Sequence, residues 1–418
     1  MHPTTIEIAG TILFALAILH TFSTRYFEEL ARRHPRHAGV WHLLGEVEIV
    51  FGFWASILLL FMLVVDGKSA VSGYLESLHF TEPMFVFAVM VVAGTKPVLQ
   101  LVSAIVARLG KLIPMGGAVG TYFCTLTFLP LLGSFITEPA AMTVAALTLQ
   151  STLFERTNST KLKYATLGVL FVNISIGGTL THFAAPPVLM VASKWGWGLS
   201  YMFAHFGYKA LIAVIFNALV ATLIFRRALR GMDSAAIVPE KPTPPLMTAI
   251  HLIFLVGVVV FAHTPHIFLG IFLFFLGFTS AYPEYQDRLI LREGLLVGFF
   301  LAGLVVIGAQ QQWWLQPLLS TMSDTAVYFG AAGLTAITDN AALTYLGSLV
   351  DGTSESFKYA LVAGAVVGGG MTVIANAPNP AGFSILRKHF PDSAISPTLL
   401  AVAAFPPTVA ALLAFWIL

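Results

Sequence analysis

Long, nearly uninterrupted runs of apolar residues dominate this chain of 418 residues, for example at 57–65, 85–92 and 267–278. A helix that crosses a bilayer needs about 20 mostly apolar residues, and roughly ten windows of the chain meet that requirement. Charged residues make up only 10% of the chain, too few to surround a buried core of this size with a charged surface. The sequence therefore predicts an all-α polytopic membrane protein with about ten spanning helices.

The loops between the apolar windows differ in charge, and that difference predicts the topology. Loops at 66–82 and 351–358 contain mostly acidic residues, whereas others are basic. Basic loops usually face the cytoplasm, which predicts an N-terminus outside the cell (inner) membrane and a cytoplasmic linker at Gly231–Pro245, where four prolines occur. The basic clusters lie at 25–36, 108–111, 156–163, 226–230, 288–292 and 387–388. The predicted spans are 5–23, 41–65, 83–107, 164–191, 201–225, 246–263, 267–281, 294–315, 359–386 and 396–418.

Two stretches do not fit this topology as single spans. In this topology, residues 114–153 leave and return to the cytoplasmic side, and residues 320–350 leave and return to the outer side. Each has a centre rich in Gly and Thr. Irregular backbone at membrane depth is tolerated only where protein or a watery cavity covers it. We therefore expect two re-entrant helical hairpins whose tips reach the middle of the membrane.

Two motifs occur twice, in the same order in both halves. The sequence Ile-Thr-Glu-Pro-Ala-Ala at 136–141 recurs as Ile-Thr-Asp-Asn-Ala-Ala at 337–342, and a Gly-Gly-x-x-Thr…Pro pattern at 177–187 recurs at 368–378. Glycine permits an unwound turn, and proline prevents the helical hydrogen bonds from continuing. The topology gives the two hairpins opposite orientations, so we expect an inverted repeat with two broken helices. Transporters of that architecture bind substrates and ions near the membrane midplane.

The repeat divides the chain into four predicted parts. Residues 1–82 form N-terminal accessory helices, and residues 83–230 form the first transporter repeat. Residues 231–293 contain the proline-rich linker and connecting helices. Residues 294–418 form the second transporter repeat.

The hairpin tips and the broken helices together resemble the ion transporter superfamily. That group includes sodium/proton antiporters, arsenite permeases and sodium-coupled di- and tricarboxylate transporters, and the chain is most similar to its sodium/proton antiporter branch. The resemblance covers residues 83–225 and 294–418 and implies two pseudo-symmetric cation sites. It assigns ion binding to Thr137, Glu138, Thr338, Asp339 and Asn340 at the tips, and to Gly178, Thr181, Gly369, Thr372 and Asn376 in the broken helices.

The tips differ from those of the carboxylate transporters in the superfamily, which are neutral, because they carry Glu138 and Asp339. Each acid is predicted at a helix N-terminus, where the helix dipole favours negative charge. In an anion carrier that position would be left for the substrate, so fixed carboxylates there favour a cation. We expect both acids to bind transported Na⁺. The alternative is that each acid only caps its helix.

Lys96 and His182 are the candidate charge partners. Lys96 lies well inside the predicted span 83–107, and a charge at that depth almost always pairs with another polar group. We expect its partner to be Glu138 or Asp339. His182 directly follows Thr181 of the first Gly-Gly-x-x-Thr motif and is either a pH-sensing residue of the site or a buried structural histidine.

These features indicate a secondary active transporter that exchanges Na⁺ for protons by alternating access. The alternatives are a sodium-coupled anion symporter and, from a different class, an ion channel. The sequence contains no phosphate-binding glycine-rich loop, no Ser-His-Asp arrangement and no basic patch for nucleic acid, so we expect neither an enzyme nor a nucleic-acid-binding protein. The expected partners are the small cation, protons, the lipid bilayer and a second copy in a homodimer, with no cofactor apart from the transported Na⁺.

Overall fold

The computed structural model describes residues 3–232 and 242–418. All regular structure in these residues is helical, and no strand occurs among them. The predicted all-α class is therefore confirmed. Most of the predicted linker Gly231–Pro245 lies outside the described residues, so its cytoplasmic position stays a prediction.

The helices before the linker include the first of the two predicted broken helices. Short irregular segments separate α10 from α11, and a turn of π-helix precedes α13. The helices are α1 (Thr5–Phe22), α2 (Thr24–Arg33), α3 (Ala38–Leu44), α4 (Val47–Val65), α5 (Gly67–Ser77), α6 (Thr81–Ala93), α7 (Lys96–Leu112), α8 (Gly117–Ile136), α9 (Glu138–Leu149), α10 (Thr160–Gly177), α11 (Pro186–Trp195), α12 (Leu199–Met202) and α13 (Tyr208–Arg230).

The helices after the linker include the second broken helix, which is interrupted between α20 and α21. They are α14 (Pro245–Val260), α15 (Pro265–Ala281), α16 (Leu291–Gly308), α17 (Gln312–Leu319), α18 (Asp324–Thr335), α19 (Asn340–Ser348), α20 (Glu355–Gly368), α21 (Asn379–Leu386) and α22 (Pro397–Ile417).

Among the described residues, six helical stretches are long and apolar enough to cross a membrane. Five of them coincide with predicted spans, and the sixth, α8, is the first arm of the predicted hairpin at 114–153. The remaining predicted spans, the inverted orientation and the re-entrant geometry stay predictions. The six stretches are Thr5–Phe22, Val47–Val65, Gly117–Ile136, Leu199–Arg230, Leu291–Leu319 and Pro397–Ile417.

Both Gly-Gly-x-x-Thr motifs interrupt their helices where the sequence predicts. The first break separates α10 from α11, which begins with Pro186 and Pro187, and the second separates α20 from α21. Proline is favourable in the first turn of a helix, where its missing N–H would be unpaired in any case. Each break therefore ends one helix at glycine and starts the next at proline-rich sequence.

The predicted span 83–107 is also interrupted, which the sequence analysis did not anticipate. Helix α6 ends at Ala93, Gly94 and Thr95 form a turn, and α7 begins at Lys96. Pro97 accounts for the break, because it lacks the N–H needed to continue α6 and suits the first turn of α7.

Helices from the two halves pack on each other in a crossed pattern. Helix α9, the second arm of the first hairpin, packs on α21, which follows the second break. Helix α19, the second arm of the other hairpin, packs on α11, which follows the first break. The accessory helices α1 and α4 pack on α16. The hairpin tips and the breaks therefore meet where the halves join.

Candidate functional site

The tip of the first hairpin is a single strained residue. Helix α8 ends at Ile136 and α9 begins at Glu138, with only Thr137 between them. Thr137 has φ 76° and ψ 148°, a conformation that is normally reserved for glycine and costs a β-branched residue about 1–3 kcal/mol. The sharp turn places Glu138 in the first turn of α9, directly before Pro139.

Glu138 is a fully buried carboxylate with one free oxygen. Its side chain is 0% exposed, and Oε2 accepts a 2.9 Å hydrogen bond from Nδ2 of Asn376. Oε1 has no hydrogen-bond partner among the described residues. An ionised carboxylate is costly to bury unless it is paired. Glu138 is therefore suited to bind a proton or a cation at Oε1.

Two glycines lie directly against the residues at the tips. A Cβ atom on Gly178 would lie 2.3 Å from Oε1 of Glu138. A Cβ atom on Gly369 would lie 2.8 Å from Nδ2 of Asn340 and 2.3 Å from Oγ of Ser175. All three distances are far below van der Waals contact, so only glycine leaves room for these side chains. The structure thus gives both predicted glycines a steric role.

Several other buried oxygens near the two tips lack hydrogen-bond partners within the described ranges. Asn340 is 0% exposed and neither of its side-chain amide atoms is bonded. The same holds for Oδ1 of Asn376 and Oγ1 of Thr137. Oxygen atoms are the ligands that hard cations prefer. Together with Glu138, these residues supply a donor set that suits a small cation.

The two motif threonines brace the breaks. The Thr181 hydroxyl donates to the carbonyl of Ser134 at 2.6 Å, and the Thr372 hydroxyl donates to the carbonyl of Ala336 at 2.8 Å. Asn379 donates from Nδ2 to the carbonyls of Gly369 and Thr372, both at 2.8 Å. These bonds pair polar groups that a broken helix would otherwise leave unsatisfied.

Ser134 is a buried residue at the first break that the sequence analysis did not single out. Its hydroxyl donates to the carbonyl of Gly177 at 2.7 Å and accepts from the N–H of Leu180 at 2.9 Å. It therefore fixes the first break against α8, one helical turn before Glu138. The signal in the sequence that could have identified Ser134 is a small polar residue just before a hairpin tip.

A comparison with known families agrees with this donor set. The profile of a family described as "Putative Na+/H+ antiporter" matches residues 5–418. The chain belongs to this antiporter family. No curated protein matches the chain. Family membership, together with the apolar helices, makes the chain a multi-pass membrane transporter for a small cation and protons.

In this antiporter, the acid at the second hairpin tip, Asp339, caps α19. Oδ1 of Asp339 accepts a 2.9 Å hydrogen bond from the N–H of Ala342, so Asp339 is the N-cap of α19. The Thr338 hydroxyl donates to the carbonyl of Leu334 at 2.8 Å and is directed back into α18. The capping alternative for Asp339 is therefore present, while ion binding by Asp339 and Thr338 stays a prediction.

The predicted partner of Lys96 was wrong. Nζ of Lys96 lies 3.2 Å from Oδ1 of Asp287, and these side chains are 21% and 72% exposed. The prediction treated 83–107 as one continuous helix, which would carry Lys96 deep into the membrane. Because the chain turns at Gly94 and Thr95, Lys96 instead begins α7 and reaches the loop that precedes α16.

His182 lies at a separate cavity of the antiporter. Its ring stacks on that of His263, with centroids 6.1 Å apart and planes at 19°, and Glu82 lines the same cavity. In the described part of the chain, no hydrogen bond or ion pair joins His182 to Glu138 or Asp339. A pH-sensing role for His182 stays a prediction.

Proposed function

We propose that this antiporter exchanges Na⁺ for protons by alternating access, and that Glu138 is the carboxylate that binds each ion in turn. The observation that carries the proposal is the state of Glu138, which is fully buried and has one unpartnered oxygen. A group of this kind binds a proton or a cation, since either one neutralises the buried charge. Competition for the same oxygen makes loading of one ion release the other.

Burial of Glu138 also explains how exchange is coupled. With neither ion bound, the carboxylate would carry a charge inside a poorly solvated site, which is energetically costly. With Na⁺ or a proton bound, the site is close to neutral. The loaded forms therefore change access more readily than the empty form, and this difference prevents uncoupled leakage.

The proposed Na⁺ shell consists of oxygens that come from both halves of the chain. Oδ1 of Asn340, Oδ1 of Asn376 and Oγ1 of Thr137 lack partners among the described residues and are available to Na⁺ beside Glu138.

The crossed packing of the halves supports alternating access. Because α9 packs on α21 and α19 packs on α11, a movement of the hairpins relative to the scaffold changes both sides of the site together. The proposed architecture is an inverted repeat with two re-entrant hairpins. We place the protein in the inner membrane with its N-terminus outside. Lipid would cover exposed apolar side chains such as Val64, Leu223 and Ile224.

Purified protein in proteoliposomes tests the proposal. An imposed pH gradient is monitored with a fluorescent dye, and Na⁺ is then added. Wild-type protein should dissipate the gradient with saturable Na⁺ dependence, and Glu138→Gln should not. Glu284→Gln, at an exposed position in a short 3-10 helix, serves as the matched control and should behave like the wild type. Flux that requires a particular anion would favour the symporter, and non-saturable flux without exchange would favour the channel.

A further inference from the structure

The structure and the sequence differ on which residue of the second hairpin tip is equivalent to Glu138 of the first. Sequence similarity pairs Glu138 with Asp339. By helical position, however, Glu138 is the first residue of α9 and Asn340 is the first residue of α19, while Thr137 and Asp339 are the respective N-caps. Glu138 and Asn340 are both 0% exposed, whereas Asp339 is only partly buried.

Contacts with the broken helices give the same correspondence. Gly178, the second glycine of the first motif, lies against Glu138. Its counterpart in the second motif, Gly369, lies against Asn340. The threonine of each motif donates a hydrogen bond to a backbone carbonyl at the same number of residues before the compared position. Thr181 bonds to the residue four before Glu138, and Thr372 bonds to the residue four before Asn340. Helix start, glycine contact and threonine bond all match Glu138 with Asn340.

The two equivalent positions are therefore chemically unequal. One holds a carboxylate and the other holds an amide that cannot ionise. The amide donor to Glu138 is Asn376, and the residue at the same place in the first motif is Ala185, which has no polar side chain. Of these two equivalent positions, only that of Glu138 can change its charge.

We infer that the antiporter exchanges one Na⁺ for one proton without net charge movement, and that the neutral side chain of Asn340 fixes this ratio. The inference rests on the proposed function of Glu138. With a proton or Na⁺ on Glu138, the site carries the same charge. Asn340 contributes an oxygen in both forms and binds no proton. Asp339 retains its capping bond throughout the cycle.

A charged residue in place of Asn340 should change the ratio of Na⁺ to protons that are exchanged. In Asn340→Asp, two carboxylates would face the site, so two protons would neutralise it while one Na⁺ would leave a negative charge. Each cycle would then move net charge, and a membrane potential would do work on it. Asp339→Asn keeps a good N-cap residue and removes only a charge that the inference keeps outside the exchange step.

The test measures Na⁺-driven proton flux in proteoliposomes at two opposite potentials, set by K⁺ gradients with valinomycin. Wild type and Asp339→Asn should exchange at rates that do not depend on the sign of the potential. Asn340→Asp should exchange faster at one sign than at the other. Wild-type rates that depend on the potential would overturn the one-to-one ratio, and loss of exchange in Asp339→Asn would show that Asp339 is an ion ligand and overturn the single-carboxylate site.

A second measurement keeps the inference testable if Asn340→Asp does not fold. In wild type, tenfold more Na⁺ should lower the pH of half-maximal exchange by about one unit if one proton competes with one Na⁺, and by about half a unit if two protons compete. A half-unit shift would overturn the inference. Absence of any Na⁺-dependent proton flux in wild type would instead refute the proposed function itself.

Discussion

Asn376 donates a 2.9 Å hydrogen bond to Glu138, although the two residues are 238 positions apart and belong to different halves of the chain. The bond joins the second broken helix to the tip of the first hairpin. It satisfies one carboxylate oxygen and leaves the other without a partner among the described residues. The candidate ion site therefore contains residues of both halves.

Asn376→Ala should weaken Na⁺ binding. The amide donates to Glu138, and a hydrogen bond to a charged group contributes about 1.5–3 kcal/mol. Its loss favours the protonated carboxylate, so the Na⁺ concentration for half-maximal exchange should rise at least about tenfold. The measurement is Na⁺-dependent exchange at fixed pH.

Asn217→Ala is the control for that variant. Asn217 is also buried, but it donates to Oδ1 of Asn173 and to the carbonyl of Pro407, away from the tips. Its loss should lower the melting temperature without changing Na⁺ affinity. Equal Na⁺ affinity in wild type and Asn376→Ala would contradict a role for Asn376 at the site.

Gly178→Ala should strongly lower exchange while leaving the fold intact. The new Cβ would lie 2.3 Å from Oε1 of Glu138, and the end of the side chain can move aside more easily than the backbone. A displaced ligand group should lower exchange by about tenfold or more. Gly333→Ala in α18, where a Cβ meets nothing within 4 Å, should exchange like wild type. Normal exchange by Gly178→Ala would show that the carboxylate does not need its present position.

The sequence predicted the class of fold and the two breaks because local signals determine them. Apolar length indicates membrane helices, and the Gly and Pro residues of each motif interrupt α10 and α20 where expected. The pairing of Asn376 with Glu138 could not be predicted in the same way. It depends on how α9 packs on α21, and nothing in either local segment specifies a partner so distant in sequence.

Thr137→Gly should stabilise the protein and impair exchange. Glycine removes the strain of a β-branched residue at φ 76°, for a net gain of about 1 kcal/mol after its greater loss of chain entropy. It also removes Oγ1 and lets the tip move, so exchange should fall. Melting temperature and exchange rate measured together test this pair of effects.

Thr338→Gly is the matched control at the other tip. Thr338 does not have positive φ, and its hydroxyl bonds to the carbonyl of Leu334, so this change should lower the melting temperature. A lower melting temperature in Thr137→Gly as well would contradict the assignment of strain to Thr137.

Lys96→Ala should have only a small effect. Its partner Asp287 is mostly exposed, and exposed ion pairs contribute less than about 1 kcal/mol. Stability changes for Lys96→Ala and Glu138→Gln should add, because the two residues share no partner among those that the structure describes. Strong non-additivity between them would restore the original expectation that Lys96 pairs with a tip acid.

Two further features show where sequence reasoning fails. Thr and an acid recur in both tip motifs, yet α19 starts one residue later in its motif than α9 does. That one-residue difference places Asn340 where the sequence alignment places Asp339. The turn at Gly94 has a similar effect, since a two-residue interruption moves Lys96 from a predicted position deep in the membrane to a position beside the exposed Asp287.

The central claim is that Glu138 exchanges a proton for Na⁺, and Na⁺-induced proton release from the purified protein tests it most directly. Detergent-solubilised protein in weakly buffered solution with a pH indicator is titrated with NaCl, and choline chloride serves as the salt control. Wild type should release a proton for each Na⁺ bound, whereas folded Glu138→Gln should release none. Equal proton release by wild type and Glu138→Gln would contradict the account.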